Sequence, residues 1–173
     1  GAPPLVLIGT WESDSPDRMP PGVQVIPNLP HRAVMAAWEG ALFGVIPSLW
    51  PEPLGSVVYE GMSRGKAVIG TTPGGHTDMI VDGVTGLLVP PGNVDALRTA
   101  MQTLLDDPQL CVRFGQAGRA RARLFTAEVN VPRFEQLYRQ LIDAKHSRQS
   151  PHGADAKPSV EPIVETVHWQ PGA

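Results

Sequence analysis

Two glutamates stand eight positions apart at Glu52 and Glu60, with Leu54, Gly55, Ser56 and Val57 between them. Carboxylates accept paired hydroxyl groups, and a glycine beside a small hydroxyl residue gives a phosphate access to backbone donors. Such a set suits a molecule with polyol ends and a diphosphate between them. An apolar run closes at Pro47, a loop passes Glu52-Pro53-Leu54-Gly55, and a helical pattern follows directly. Ligands of open α/β sheets bind beyond the carboxyl ends of strands, near helix starts. The first amides of a helix have no intrahelical partners and attract phosphate oxygens. The helix dipole adds about 0.3–1 kcal/mol, rising to about 2 kcal/mol in a partly dry site. Gly55 lets a ligand come close to the backbone, and Ser56 adds a hydroxyl donor. Glu60, on the second helical turn, points back towards the helix start, where it can accept both hydroxyls of a ribose. Glu52 can accept hydroxyls of a second sugar.

The elements that must position these residues are legible in the apolar pattern. Leu5–Gly9, Val23–Pro27, Phe43–Pro47, Ala67–Gly70 and Gly86–Val89 are short continuous apolar runs, the pattern of parallel strands covered by helices on both faces. Helical patterns lie between several of them, at His31–Gly40, Gly55–Arg64 and His76–Val81. Val34, Met35 and Trp38 share a stripe, and Trp38, Met62 and Met79 read as core. This alternation predicts an α/β fold with a Rossmann-like open parallel sheet and helices on both faces. After Pro90-Pro91-Gly92 three helices follow: one capped by Asn93, one opened by Pro108 and running towards Leu124, and one capped by Thr126. The last carries an apolar stripe of Phe134, Leu137, Tyr138, Leu141 and Ile142. Residues 145–173 hold Pro151, Pro158, Pro162 and Pro171 without periodicity and read as a disordered, Pro-rich tail, so the folded domain is expected over residues 1–144. Val160–Trp169 is the stretch of that tail best suited to docking. His146, His152 and His168 fall in it as well, away from any chemistry.

Bulk composition narrows the function classes. The chain has 173 residues, 18 of them Gly and 19 Pro, yet 42% are hydrophobic and 18% charged, enough apolar material for one core. Eleven of the glycines and six of the prolines lie between Gly40 and Gly92, where they punctuate a folded scaffold. A net charge of −3 with scattered basic residues offers no stripe for a polyanion, which argues against nucleic acid as a partner. Cys111 is the only cysteine, so neither a disulfide framework nor a cysteine zinc site is expected, and it reads as a small buried residue. No apolar run reaches the ~20 residues of a membrane span. The chain opens on Gly1 directly before a strand-like run, so the lack of a signal peptide carries little weight.

From Pro47 to Gly75 the sequence reads PSLWPEPLGSVVYEGMSRGKAVIGTTPGG. It resembles the donor-binding motif of retaining GT-B glycosyltransferases of the family 4 type, whose signature is a Glu, a Phe-Gly or similar turn, and a second Glu after seven residues. Glu52, Leu54-Gly55 and Glu60 match it. So do Thr71-Thr72-Pro73-Gly74-Gly75, the run from Asp82 to Gly92, and Asp106-Asp107-Pro108, over roughly Pro4 to Ile142. The resemblance implies that Glu52 is catalytic, holding sugar hydroxyls and aligning the anomeric carbon. It implies that the backbone at Leu54, Gly55, Ser56 and Val57 holds sugar and diphosphate, that Glu60 binds the ribose, and that Asn28 and Leu29 meet the base. The donor would be a UDP-, GDP- or ADP-linked sugar, with no metal and no further cofactor, in a cytoplasmic protein that is either free or peripheral to a membrane.

The sequence also departs from that pattern. Leu54 replaces the usual aromatic, and Glu12–Gly22 (ESDSPDRMPPG) replaces a helix with a loop. The family's first strand, the Arg and Lys that clamp the diphosphate, and the N-terminal acceptor-binding domain have no counterpart here. Lys66, Lys145 and Lys157 are the only lysines, Arg18 and Arg64 read as surface residues, and a missing central strand is expected to leave unpaired edges. The chain alone is therefore expected to bind a donor but to be nearly inactive. Two other readings stay open, a non-catalytic nucleotide-sugar-binding or interaction module and a GT-B sugar-nucleotide epimerase. At single residues, His76 reads either as a helix-start residue or as one that approaches the site. His31 reads as a helix-start residue, Asp78 as electrostatic support for its short helix, and Trp50 as a loop aromatic able to flank a sugar.

Overall fold

A computed structural model describes residues 3–9, 15–16 and 18–149, without the side chains of 147–149. Its strands are short, apolar and parallel, and they fall into two sheets. Leu5–Gly9 (β1) pairs with Val23–Pro27 (β2), Leu5 opposite Val23 and Ile8 opposite Ile26. Phe43–Val45 (β3), Ala67–Thr71 (β4) and Gly86–Val89 (β5) form the second sheet in the order β3-β4-β5. The single expected sheet is thus divided in two, with the break between β1 and β3. β3 ends at Val45, short of the expected Pro47; Ile46 still donates to the Ile69 carbonyl at 2.8 Å, but Pro47 has no N–H to continue the ladder.

Side-chain alternation along β4 sets up two apolar layers. Val68 joins Trp38, Val58, Met62, Met79, Ile80 and Ala122 on one face, while Ala67 and Ile69 join Val89, Ala100, Leu104, Cys111 and Phe114 on the other. The first layer is built by His31–Gly40 (α1), Ser56–Ser63 (α2) and His76–Met79 (α3). Trp38 locks α1 onto it by lying across two glycines: a Cβ on Gly44 or Gly61 would fall 2.1 or 2.8 Å from its ring. The second layer is built by Val94–Asp106 (α4) and Pro108–Ala122 (α5), whose last residue, Ala122, reaches the first layer. Asn93 caps α4 by accepting from the Ala96 amide at 3.0 Å, and Asp107 caps α5 by accepting from Leu110 at 2.9 Å. Cys111 is buried, its Sγ donating to the Leu104 carbonyl, and burial pushes its thiol above the ordinary range.

Several expectations need correction. α5 stops at Ala122 and a 3-10 turn, Arg123–Phe125, takes the chain to Ala127–Gln149 (α6). α6 passes through the boundary expected at Lys145, because Ala144, Lys145, Arg148 and Gln149 all favour helix and the next breaker is Pro151. The rest of the expected tail, Val160–Trp169 included, lies outside the described residues. The α6 stripe is present but uncovered: Phe134, Tyr138, Leu141 and Ile142 are 47–62% exposed. β1 does not have the two covered faces its sequence suggested. Leu5, Val6, Leu7 and Ile8 are each 38–41% exposed, since among the described residues no helix lies between β1 and β2 and no strand pairs with the outer edge of β1.

Candidate functional site

Each parallel strand delivers its following loop to the carboxyl end of the sheet, and three of these loops carry the candidate residues. β2 ends at Pro27 and leads through Asn28, Leu29 and Pro30 into α1. β3 leads through Pro47–Gly55 into α2, and β4 leads through Thr72–Gly75 into α3. Asn28 has φ 53°, a left-handed conformation that asparagine tolerates better than most residues, and this turns the chain sharply before α1.

The start of α1 meets the second turn of α2 through a side-chain pair. His31, the first residue of α1, places Nε2 3.0 Å from Glu60 Oε1, although the two lie 29 positions apart. Glu60 keeps 17% of its side-chain exposure and His31 74%, so the carboxylate is recessed behind an imidazole open to solvent. The contact brings the Asn28–Leu29 loop and Glu60 to one side of the molecule.

The β3 and β4 loops are pressed against each other. The Gly75 amide donates to the Glu52 carbonyl at 2.5 Å, and a Cβ on Gly75 would fall 2.3 Å from the Pro53 carbonyl oxygen. Ser48 Oγ donates to Glu52 Oε1 at 3.1 Å, fixing the loop carboxylate on one oxygen. At the start of α2 no side chain caps the helix. The Ser56 amide is taken by the Leu54 carbonyl at 3.0 Å, which leaves its exposed hydroxyl as the donor that Ser56 offers. Leu54 and Val57 are exposed beside it, and Trp50 is exposed on the preceding loop.

Gly55 differs from the sequence reading in what occupies the space beside it. The residue is buried, and a Cβ there would lie 2.6 Å from His76 Cδ2 and 2.7 Å from Nε2. Its missing side chain makes room for an imidazole beneath the first turn of α2. His76 is 1% exposed and opens α3, the helix-start position expected for it. The Thr71 amide donates to its Nδ1 at 3.1 Å, which fixes the neutral tautomer with the proton on Nε2. Burial lowers its pKa below 6.5, with the Glu52 charge pulling weakly the other way. Nε2 has no hydrogen-bond partner among the described residues, a situation that costs about 1–3 kcal/mol for a buried donor. Spacing in the sequence could not reveal this, because the burial arises from loop packing.

Arg64 and Lys66 stand at the opposite end of the sheet, before β4 begins. Arg64 Nη1 pairs with Glu39 Oε1 at 2.5 Å, and Lys66 Nζ donates to the Glu39 carbonyl at 2.8 Å. Asp78 is exposed, and its carbonyl accepts from Arg121 at 2.6 Å. Among the described residues no group of three His, Cys, Asp or Glu could hold a metal ion, and no helix is long and apolar enough to cross a membrane.

Carboxylates, a glycine turn and an uncapped helix start are gathered where parallel strands end, the place at which open α/β domains take up their ligands. The sequence profile of glycosyl transferases group 1 matches residues 18–121, and the chain belongs to that family. Two similar curated proteins are the putative glycosyltransferase EpsD of Bacillus subtilis, 32% identical over 57% of this chain, and the D-inositol 3-phosphate glycosyltransferase of Kribbella flavida, 32% identical over 65%. The chain spans 26% of the length of each. Among solved structures, sucrose-phosphate synthase of Thermosynechococcus elongatus superposes with TM-score 0.71 at 32% identity, over 81% of this chain and 39% of that one. Anabaena Alr3699/HepE, solved with UDP-glucose, shares the fold with TM-score 0.68 at 22% identity, over 78% of this chain and 40% of that one.

Proposed function

We propose that the chain is the donor-binding half of a glycosyltransferase, which moves a hexosyl group from a nucleoside diphosphate sugar to an acceptor with retention at the anomeric carbon. The observation that supports it most is the convergence of the Asn28 loop, Glu60 and the Glu52–Gly55 turn, joined by the His31–Glu60 contact. In this reading the base lies along Asn28 and Leu29, and Glu60 takes the ribose hydroxyls. The start of α2, from Leu54 to Val57, with the Ser56 hydroxyl, holds the diphosphate, and Glu52 takes the sugar hydroxyls. The bond from the anomeric carbon to the diphosphate oxygen breaks, and the acceptor hydroxyl attacks from the same face, giving up its proton to the departing diphosphate. Stabilising that departing charge is the largest electrostatic contribution asked of the site. No metal or further cofactor enters this scheme, the acceptor is held by an N-terminal domain, and the protein works in the cytoplasm or peripherally on a membrane.

One observation favours a second reading, nucleotide-sugar binding without transfer. The candidate cations Arg64 and Lys66 are tied to Glu39 at the far end of the sheet, where neither reaches a diphosphate. Calorimetric titration of the chain with UDP-, GDP- and ADP-sugars tests both readings. One nucleotide class binds, and Glu60→Ala weakens it by about 1.5–3 kcal/mol, the worth of hydrogen bonds to a charged acceptor. Unchanged affinity in Glu60→Ala removes the ribose role, and no binding of any donor removes the reading. Donor binding without transfer, when an acceptor domain is supplied, selects the second reading.

A further inference from the structure

We propose that His31 is a positioning residue for Glu60, its Nε2–H holding the carboxylate in the pose that selects a ribonucleoside diphosphate over its 2′-deoxy counterpart. The inference rests on the nucleotide-sugar reading of this site, and it adds a residue from another helix that the Glu52-to-Glu60 motif does not contain. Nε2 of His31 lies 3.0 Å from Oε1 of Glu60. An ionised carboxylate only accepts, so Nε2 carries the proton of this bond whether the ring is neutral or charged. The frame behind the pair is rigid. Trp38 stands about two turns after His31 on the same face of α1, and its ring lies against Gly61, the residue that follows Glu60. Val34 and Met35, between His31 and Trp38, pack on the same apolar layer. The bond therefore joins two helices already locked together, and it has only the side-chain tips left to hold.

The carboxylate is recessed while the imidazole is largely open to solvent. A pair this exposed on one side adds little to fold stability, but it does restrict the rotamers of the glutamate. A free side chain loses that freedom when a ligand binds; one already held loses less, and the difference appears as affinity. The bond to His31 uses one of roughly four lone-pair sites on the carboxylate and leaves the others for hydroxyl groups. The 2′- and 3′-hydroxyls of a ribose stand on adjacent carbons and present two donors together. A carboxylate of fixed orientation accepts both at once, and loss of the 2′-hydroxyl leaves it short of one. Only Pro30 separates His31 from the Asn28–Leu29 loop, so one helix start sets the spacing between the base side and the ribose side.

Calorimetry on the 173-residue chain tests this by comparing UDP, GDP and ADP with dUDP, dGDP and dADP. The wild type is expected to prefer the ribonucleotide about tenfold, and His31→Ala to reduce that preference to about threefold by weakening the ribonucleotide. His31→Gln, which offers an N–H at similar reach, is expected to restore most of it. In a Glu60→Ala background His31→Ala is expected to change nothing further, because the carboxylate it positions is gone. The His31 side chain is 74% exposed, so its loss opens no cavity and the variants are expected to fold. An unchanged preference in His31→Ala overturns the inference, as does equal weakening of both nucleotides, which marks a structural role. Tighter ribonucleotide binding in His31→Ala overturns it too, since the imidazole then competes with the ribose, and so does an effect that persists without Glu60. All of these leave the nucleotide-sugar reading standing. If the wild type binds none of the nucleotides, that reading itself fails and takes the inference with it.

Discussion

At the scale of single residues, the site depends on what surrounds each group more than on its type. Glu52 and Glu60 are eight positions apart in sequence, yet Ser48 on the same loop fixes one, and His31 on a different helix meets the other. The glutamates, the glycine turn and the helix start were all readable, because they act over a few residues with fixed spacing. The contacts of His31 and His76 were not, since each depends on packing between segments that share no local pattern. His76 gives this scale a prediction that needs no ligand. Its pKa in the folded chain lies below 6.5, so between that lowered value and 6.5 the unfolded chain binds more protons than the folded one. The stability that burial of the neutral ring confers is therefore complete above pH 6.5 and is lost as the pH falls towards the folded-state value. Urea midpoints at pH 8, 6.5 and 5 are expected to fall more steeply in the wild type than in His76→Asn. Parallel curves for the two proteins would show that the ring is not buried as described.

At the scale of elements, β3 to β5 and their helices were legible because short apolar runs alternate with helical stripes. The division of the sheet was expected only through the family resemblance, and the exposure of β1 followed from contacts that its own sequence does not encode. Helix α5 shows how finely such packing is set. It contains Gly115 and Gly118, and helix propensity alone favours alanine at both by about 1 kcal/mol. The surroundings separate them. A Cβ on Gly115 would fall 2.0 Å from the Gly65 carbonyl oxygen, a backbone atom that cannot swing aside, whereas one on Gly118 would meet Met62 and Thr85 at 3.5 Å, ordinary contact. Steric cost of about 3 kcal/mol exceeds the propensity gain at the first site and is absent at the second. Gly115→Ala is expected to destabilise the chain by about 2 kcal/mol, and Gly118→Ala to stabilise it by up to about 1 kcal/mol, both read from denaturant midpoints with unchanged slopes. Equal effects at the two positions would mean that α5 does not rest on the turn at Gly65.

At the scale of the whole molecule, the described residues leave two apolar surfaces facing solvent. One is β1, with its free edge and four exposed aliphatic side chains; the other is the α6 stripe, with Val131, Phe134, Tyr138, Leu141 and Ile142. A strand edge supplies a row of unpaired amides and carbonyls, while aromatic side chains on a helix supply area, up to 150–250 Å² for each ring fully covered. Contiguous apolar surface of this kind drives association in proteins that otherwise carry modest charge, and the net charge here is only −3. The isolated chain is therefore expected to bind a hydrophobic dye and to associate as its concentration rises through the micromolar range, as sedimentation velocity would show. The two surfaces predict different remedies. Replacing Phe134 and Tyr138 with glutamate removes the rings and adds like charge to the stripe, and should return most of the chain to monomer. Val6→Lys places a charge on the strand beside the free edge, the device by which natural edge strands resist pairing, and should act more weakly because it leaves α6 intact. If the lysine variant alone abolishes association, strand pairing at β1 is the driving contact and the helix stripe is secondary. A wild-type chain that stays monomeric and leaves the dye unbound would contradict the exposure of both.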